Sequence, residues 1–405
     1  MALASASRVP HHLMATAFTF NVQQARAGYS ATSTNHAMSK MDQSFKTFSF
    51  DEPCTTMAWT DMASASLALT TKSDNWDEEA DLVVVGVFAP KKDEGEEDDD
   101  NEKEEEEPTV TLTGGAKELD DKLGGALTSV MLDNAKEFSH GAKAGSTTPT
   151  LRIFRDGQSQ RIAVIGLGTL PEGDDSSLLG IGSAVGKALA SMCDSEKKVK
   201  TAKIFLPEPV GSDVSLLNDL STSFYQTLYS DNRFRTGKKM KTAAEDLESV
   251  TLVTEGSSLD GAEEALEAGK KLATGIYMTK DIVNSPHNVL NSISLADTAK
   301  RIAEESGGVM KCTVLGKKEC EERGMGAYLG VARGSETEPQ FIHLTYTPPD
   351  GKVNKKVGVV GKGLLFDTGG YNIKTQMMEL MKFDCGGAAS VLGKSAGCLL
   401  KIHQS

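Results

Sequence analysis

The sequence predicts an α/β fold with two domains, and three patterns support this prediction. Leu82 to Phe88 form a continuous apolar run of the kind that is buried in a parallel sheet. Strand patterns alternate with helix patterns from about residue 46 to residue 255. A long helical pattern then leads into a second series of strands and helices. We therefore expect an N-terminal α/β domain at 46–255, a linker helix at 256–283 and a second α/β domain at 284–405.

The first predicted domain contains a β-hairpin in addition to its helices and single strands. Two short strands at 152–154 and 161–165 flank Asp156-Gly157, a dipeptide that favours tight turns. Small and apolar residues predict a helix from Leu179 to Met192. The remaining elements are a strand at 202–206, a helix at 215–229 and a strand at 251–254.

The second predicted domain follows a helix whose apolar residues recur at three- and four-residue steps from Leu259 to Val283. Pro286 ends this helix, because the residue before a proline avoids helical backbone angles. We expect the next helix at 294–306, with Ser294 and Asp297 as its capping box. Strands are predicted at 309–315, 341–346 and 357–360, with a short helix at 317–323.

The charge of the chain is concentrated in one segment. The 405 residues carry a formal net charge of −14, and residues 93–107 hold twelve acids and one lysine, or −11 of that total. Such a run favours a solvated loop, with a docking site for a basic partner or for divalent ions as the alternative. Binding to nucleic acid is not expected, because it requires clustered Lys and Arg. No run of 18 or more apolar residues indicates a membrane span.

The cysteines and the N-terminus bear on the compartment. Six cysteines are scattered without a Cys-x-x-Cys pair, which argues against a disulfide framework or a thiolate zinc site and suits a reducing compartment. The first 41 residues contain no Asp or Glu and are rich in Ser, Ala and Thr. Residues 1–45 are therefore expected to be disordered, either as an organelle transit peptide or as a simple disordered tail.

Residues 360–387 are the most informative for chemistry. They place Lys362 at the end of a predicted strand, where α/β sheets bind ligands, and they place Asp367 and Asp384 among glycines. Carboxylates suit hard divalent cations and zinc, and a lysine can join them only when a cation depresses its pKa. Lys374 could stay protonated and polarise a substrate carbonyl. The residues alone leave two interpretations open, a metal site or a glycine-rich loop with surface charges.

Three sequence blocks occur in order at 281–290, 324–335 and 361–384. The first contains Asp-Ile-Val-Asn-Ser-Pro, and the second contains Leu-Gly-Val-Ala-Arg-Gly-Ser. The third contains Gly-Lys-Gly, Phe-Asp-Thr-Gly-Gly, Asn-Ile-Lys and Leu-Met-Lys-Phe-Asp. Together they closely resemble the leucyl aminopeptidase (cytosol aminopeptidase) family of dinuclear metallopeptidases.

The resemblance implies a smaller N-terminal α/β domain followed by an incomplete C-terminal α/β catalytic domain of the zinc-peptidase type. It implies a metal-dependent leucyl aminopeptidase that releases N-terminal amino acids from peptides and uses two divalent ions, manganese, zinc or magnesium. It also implies a homo-oligomer, usually a hexamer. The expected compartment is the cytoplasm, or a plastid or mitochondrion if residues 1–45 are a transit peptide.

The resemblance also assigns roles to four residues. Lys362 would bind one metal ion, Asp367 would bridge both, and Asp384 would bind one of them. Lys374 would be the catalytic lysine that stabilises the oxyanion.

The sequence departs from the family pattern in three places. It contains no Asn-Thr-Asp-Ala-Glu-Gly-Arg motif, which supplies the last metal ligands in the family. The segment between Lys374 and Asp384 is short and lacks a Gly-Pro-Gly-type turn, and the resemblance fades after Gly397. The favoured explanation is a truncated or mis-assembled gene model. The alternatives are a noncatalytic structural or binding homologue within an oligomer, and completion of the site by another chain.

Overall fold

The computed structural model describes residues 57–89, 112–134, 138, 143–155, 157–169, 180–256 and 260–402. These residues divide into two compact units, one within Thr60–Tyr277 and the other consisting mainly of Met278–Leu399. The predicted N-terminal tail at 1–45 and the acidic segment at 93–107 lie outside the described residues.

The first unit contains a six-stranded sheet in the order β1-β6-β5-β2-β4-β3. All neighbouring strands are parallel except β3, which pairs antiparallel with β4. The strands are β1 (Ser66–Thr71), β2 (Leu82–Ala89), β3 (Leu151–Arg155), β4 (Gln158–Thr169), β5 (Thr201–Leu206) and β6 (Ser249–Thr254). The helices are α1 (Gly114–Lys122), α2 (Ala126–Asp133), α3 (Ile181–Ser195), α4 (Val214–Thr227) and α5 (Ala262–Asn284), the last of which continues into the second unit.

Apolar side chains on both faces of the sheet explain why β2 is a continuous apolar run. Leu82 and Val84 belong to a core cluster with residues of α3, α4 and α5, whereas Val83 and Val85 belong to a cluster with residues of α1 and α2. All four are fully buried. Because successive side chains of a strand point to opposite faces, helices on both sides of a parallel sheet require this pattern.

Most elements predicted for this unit are confirmed. The antiparallel pairing of β3 with β4, the strand at 202–206 and the helix at 215–229 are present within a few residues of their expected bounds. β1 was not predicted. It is a half-exposed edge strand with three threonine and serine side chains, so it lacks the apolar run that reveals a central strand.

The second unit contains a two-stranded antiparallel sheet of β7 (Met310–Leu315) and β8 (Phe341–Tyr346). Its helices are α6 (Ser292–Glu304), α7 (Lys317–Glu322), α8 (Gly326–Ala332) and α9 (Gly386–Ile402), and a 3-10 helix spans Met378–Cys385. The core of the unit joins apolar residues of α5, α6, β7 and α9 with Leu365.

Two predictions for this unit are wrong. The capping box of α6 pairs Asn291 with Ser294 rather than Ser294 with Asp297, because the helix begins at Ser292 and Asn291 occupies the cap position. Residues 357–360 form no strand, although the three valines have high strand propensity. Among the described residues no strand pairs with them, and their side chains are largely exposed, so the hydrogen-bonded ladder that defines a strand is missing.

None of the helices in the described part of the chain is both long and apolar enough to cross a membrane.

We predict that Gly186→Ala destabilises the first unit by about 1–3 kcal/mol, as overpacking of a core typically does. Gly186 of α3 faces α4 so closely that an added Cβ would collide with the backbone oxygen of Leu220. Denaturant unfolding measures the effect. Gly330→Ala in α8, where an added Cβ meets nothing within 4 Å, is the control and should be neutral or stabilising by up to about 1 kcal/mol. Equal stabilities of the two variants would contradict this account of the helix packing.

Candidate active site

The four predicted site residues lie on two segments of the second unit. Lys362, Asp367 and Lys374 belong to the irregular chain between β8 and the 3-10 helix, and Asp384 lies near the end of that 3-10 helix. Buried Leu365 anchors the irregular segment in the core, and buried Cys385 anchors the other segment immediately after Asp384. The backbone that carries the ionisable side chains is thus held in place by its apolar neighbours.

Lys362 and Asp384 meet because the two segments touch through glycine. A Cβ added to Gly387 would lie 2.7 Å from the Lys362 backbone nitrogen, and one added to Gly361 would collide with the backbone oxygen of Gly387. The Ala388 backbone N–H donates a hydrogen bond to the Lys362 carbonyl at 2.7 Å across this contact. The structure brings Lys362 Nζ to 3.3 Å from Asp384 Oδ1 as a result.

Asp367 and Lys374 are joined by a compact turn. Gly369 adopts a φ of +87°, which favours glycine, and the Lys374 backbone N–H donates to the Thr368 carbonyl at 2.9 Å. The Lys374 ammonium donates to Asp367 Oδ2 at 2.9 Å and also lies 3.0 Å from the sulfur of Met381. The Gly369 N–H donates to Asp367 Oδ1 at 3.0 Å, so both carboxylate oxygens of Asp367 are held.

The charges of this cluster act on one another. Burial acts to raise the pKa of Asp367, but the hydrogen bonds from Lys374 and the Gly369 N–H, with the positive charges of Lys374 and Lys362, outweigh it and hold that pKa below its usual value. Lys362 therefore influences Asp367 as well as Asp384. All four side chains belong to one electrostatic cluster.

The Asp384 carboxylate has one oxygen to which no described residue donates. Oδ2 is buried and accepts no hydrogen bond from the residues that the structure describes. Leaving a buried carboxylate oxygen unpaired is costly, and a bound cation would offset that cost. The Asp384 carboxylate, the Lys362 amine beside it and the Asp367 carboxylate, on which the charge of Lys362 acts, are donor types that suit a divalent cation.

The number of donors matches one ion better than two. Within the described ranges no group of three or more His, Cys, Asp or Glu side chains is arranged to hold a metal. Lys362, Asp367 and Asp384 supply three donors, whereas a tetrahedral or octahedral ion takes four to six. The described residues thus fit one ion whose shell is completed by solvent or substrate, and a second ion needs further ligands.

Three further residues were not identified from the sequence. Lys382 donates to the carbonyl of Asn284 at 2.9 Å, and the His287 ring packs edge-on against Phe366 with 4.9 Å between ring centroids. Met381 contacts Lys374 as described. The contacts of Lys382 and His287 join residues that are distant in the sequence, and the contact of Met381 uses a sulfur atom, for which there is no sequence motif. Sequence patterns therefore could not indicate these contacts.

The short segment before Asp384 has a local consequence. Met377, which precedes the 3-10 helix, adopts a left-handed φ of +52°, a region that is uncommon for residues other than glycine. The segment that lacks a Gly-Pro-Gly-type turn therefore bends at a methionine.

Comparison with protein families gives two matches along the chain. Residues 277–402 match the catalytic domain of the cytosol aminopeptidase family, and residues 84–238 match the N-terminal domain of the same family.

Curated relatives and a solved structure agree with these matches. The chain is 35% identical to a probable cytosol aminopeptidase of Rippkaea orientalis, over 70% of this chain and 54% of that protein. It is 37% identical to leucine aminopeptidase 2, chloroplastic, of Oryza sativa, over 68% of this chain and 45% of that protein. A mutant of tomato leucine aminopeptidase has a similar structure, with a TM-score of 0.63 and 25% identity over 85% of this chain and 61% of that chain. The chain spans about half the length of the curated relatives it matches.

We predict that His287→Phe makes the stability of the protein less sensitive to acid. Burial lowers the pKa of His287, and the positive charge of Lys382 lowers it further. The unfolded chain, with a histidine pKa of about 6.5, therefore binds more protons as the pH falls below that value, and the folded state loses stability. Phenylalanine keeps the ring contact and carries no proton.

Thermal unfolding at about pH 7.5 and about pH 5.5 tests this prediction, since histidine changes charge in that range. The drop in Tm should be smaller for His287→Phe than for the wild type. His343→Phe, an exposed position on β8, is the matched control and should retain the wild-type drop. Equal drops in all three proteins would show that His287 does not titrate differently in the folded state.

Proposed function

The chain belongs to the cytosol (leucyl) aminopeptidase family of peptidases, M17, and from that premise we propose that it is a metal-dependent leucyl aminopeptidase that releases N-terminal amino acids from peptides. The observation that carries the proposal is the pairing of Lys362 with Asp384, whose buried Oδ2 accepts no hydrogen bond from the described residues, together with the electrostatic effect of Lys362 on Asp367. These are the residues to which the family resemblance assigns metal binding.

The donor residues have separate tasks in this proposal. Asp367 and Asp384 supply negative charge. No described residue donates to Asp384 Oδ2, so this oxygen can bind a cation. Each oxygen of Asp367 already accepts one hydrogen bond but carries a second lone pair that can bind a cation. Lys362 would bind a cation through its neutral amine, so cation binding would release the lysine proton to the solvent.

Divalent cations supply Lewis acidity, which polarises a peptide carbonyl and activates water when they are bound. The family uses two such ions per site, and the second would need ligands other than those described here.

Lys374 acts on the substrate rather than on the cation. Its ammonium is oriented by Asp367 Oδ2 and by the sulfur of Met381, and it donates a hydrogen bond to the carbonyl oxygen as negative charge develops there. Because the two contacts preorient it, little rearrangement is needed when the substrate reacts.

The assembly and the compartment follow from the family in this proposal. We propose a homo-oligomer, a hexamer as in other members of the family, that acts on peptides in the cytoplasm or in a plastid or mitochondrion. The relatives are named as cytosolic or chloroplastic enzymes, which supports this assignment.

We predict that Asp384→Asn and Lys374→Met separate cation binding from catalysis. Asp384→Asn should weaken Mn²⁺ binding by at least about 100-fold, since the loss of an outer-shell partner alone typically costs 10–100-fold. Lys374→Met should leave Mn²⁺ affinity close to that of the wild type and lower kcat by about 100- to 1,000-fold, as the loss of one oxyanion donor does. Isothermal titration with Mn²⁺ and hydrolysis of a leucyl anilide measure the two effects.

Lys356→Met, an exposed lysine of the same unit, is the matched control and should change neither quantity. A wild-type chain that binds Mn²⁺ but hydrolyses no leucyl anilide would support the alternative of a noncatalytic binding homologue. A wild-type chain that does neither would contradict the proposed function.

A further inference from the structure

Lys382 places its charge at the end of helix α5. Its ammonium donates a hydrogen bond to the carbonyl of Asn284, the last residue of that helix, at 2.9 Å. The last carbonyls of a helix lack partners within the helix, and they form the negative end of its dipole. A lysine at this position is therefore favoured both as a donor and as a positive charge.

Lys382 also belongs to the segment that carries the site. It lies in the 3-10 helix, two residues before Asp384 and next to Met381, which contacts Lys374. The Cys385 thiol, one residue beyond Asp384, donates back to the Lys382 carbonyl at 3.7 Å. The hydrogen bond to Asn284 thus joins this whole turn to the end of α5.

The same helix end contacts the segment that carries Asp367. His287, which follows α5, packs its ring against Phe366, the residue before Asp367. Lys382 is close enough to His287 for its charge to act on the ring. The end of α5 and the residues just after it consequently contact both segments that contribute carboxylates.

The site side chains need such a support because they are not fixed by burial. The side chains of Lys362 and Asp384 are 36% and 24% exposed, and those of Lys374 and Asp367 are 33% and 26% exposed. Partly exposed side chains hold a geometry only when the backbone that carries them is held. The hydrogen bond from Lys382 to Asn284 is placed where it can restrain the Asp384 segment.

We propose that Lys382 is a positioning residue of the active site, which fastens the Asp384 segment to the C-terminal end of α5. Loss of its ammonium lets the 3-10 helix move away, so that Asp384 departs from Lys362 and Met381 departs from Lys374. The part of the inference that concerns cation binding rests on the proposed function, whereas the part that concerns the order of the segment does not.

Thiol alkylation tests the order of the segment without any metal. Cys385 and Cys320 are both fully buried in the second unit, and each thiol donates to a backbone carbonyl. In Lys382→Met the alkylation rate of Cys385 with iodoacetamide should rise about 10-fold, while that of Cys320 stays unchanged. Mass spectrometry of the cysteine peptides measures both rates, and Lys356→Met is the matched control.

Cation binding and a conservative variant complete the test. Lys382→Met should weaken Mn²⁺ binding by about 10- to 100-fold, as the loss of an outer-shell partner does. Lys382→Arg, which keeps the charge and the donor, should restore most of the protection of Cys385 and most of the affinity.

Three results would overturn the proposal. An unchanged Cys385 rate in Lys382→Met would show that the hydrogen bond does not hold the segment. Equal increases for Cys385 and Cys320 would show a general loss of stability instead of a local one. Faster alkylation of Cys385 with unchanged Mn²⁺ affinity would show that Lys382 holds the segment but that this restraint does not position Asp384 for cation binding. If the wild type binds no Mn²⁺, the proposed function fails, and the two thiol rates still decide whether Lys382 holds the segment.

Discussion

The site depends on the contact between Gly361 and Gly387, where two backbone segments touch without any side chain between them. The hydrogen bond from Ala388 to Lys362 closes this contact and ties the start of α9 to the irregular segment. Every ionisable group of the site is carried by one of these two segments. A larger residue at either glycine would separate Lys362 from Asp384 by the width of a side chain, so the site requires glycine at both positions.

The two positive charges of the lysines and the two negative charges of the carboxylates balance each other, which explains why the four side chains can lie close together. Lys362 pairs with Asp384 and Lys374 pairs with Asp367, and each side chain keeps part of its surface exposed to water. A cation bound by Lys362 would replace the positive charge of that lysine, because a lysine binds metal only as a neutral amine. Asp384 Oδ2, which has no hydrogen-bond partner among the described residues, would then be satisfied, and a divalent cation would raise the net charge of the cluster by one unit instead of two.

The sequence predicted most of the elements, and the four site residues that it proposed lie in one cluster. Apolar runs such as Leu82 to Phe88 and the Asp-Gly turn are local patterns, so they indicate structure reliably. Residues 357–360 show the limit, because strand propensity does not supply the neighbouring strand that pairing requires. The contact of Lys382 with Asn284 joins residues 98 apart in the chain, and no motif spacing indicates such a contact.

In the proposed function Lys362, Asp367 and Asp384 together form a cation site. Anomalous X-ray diffraction from crystals of the protein grown with Mn²⁺ tests it most directly, because the anomalous signal locates manganese independently of any assumed ligand. We expect an anomalous peak within coordination distance of Asp384 Oδ2, with the Lys362 amine and an Asp367 oxygen as further ligands. Crystals without a peak among these three side chains, or with manganese bound only elsewhere, would contradict it.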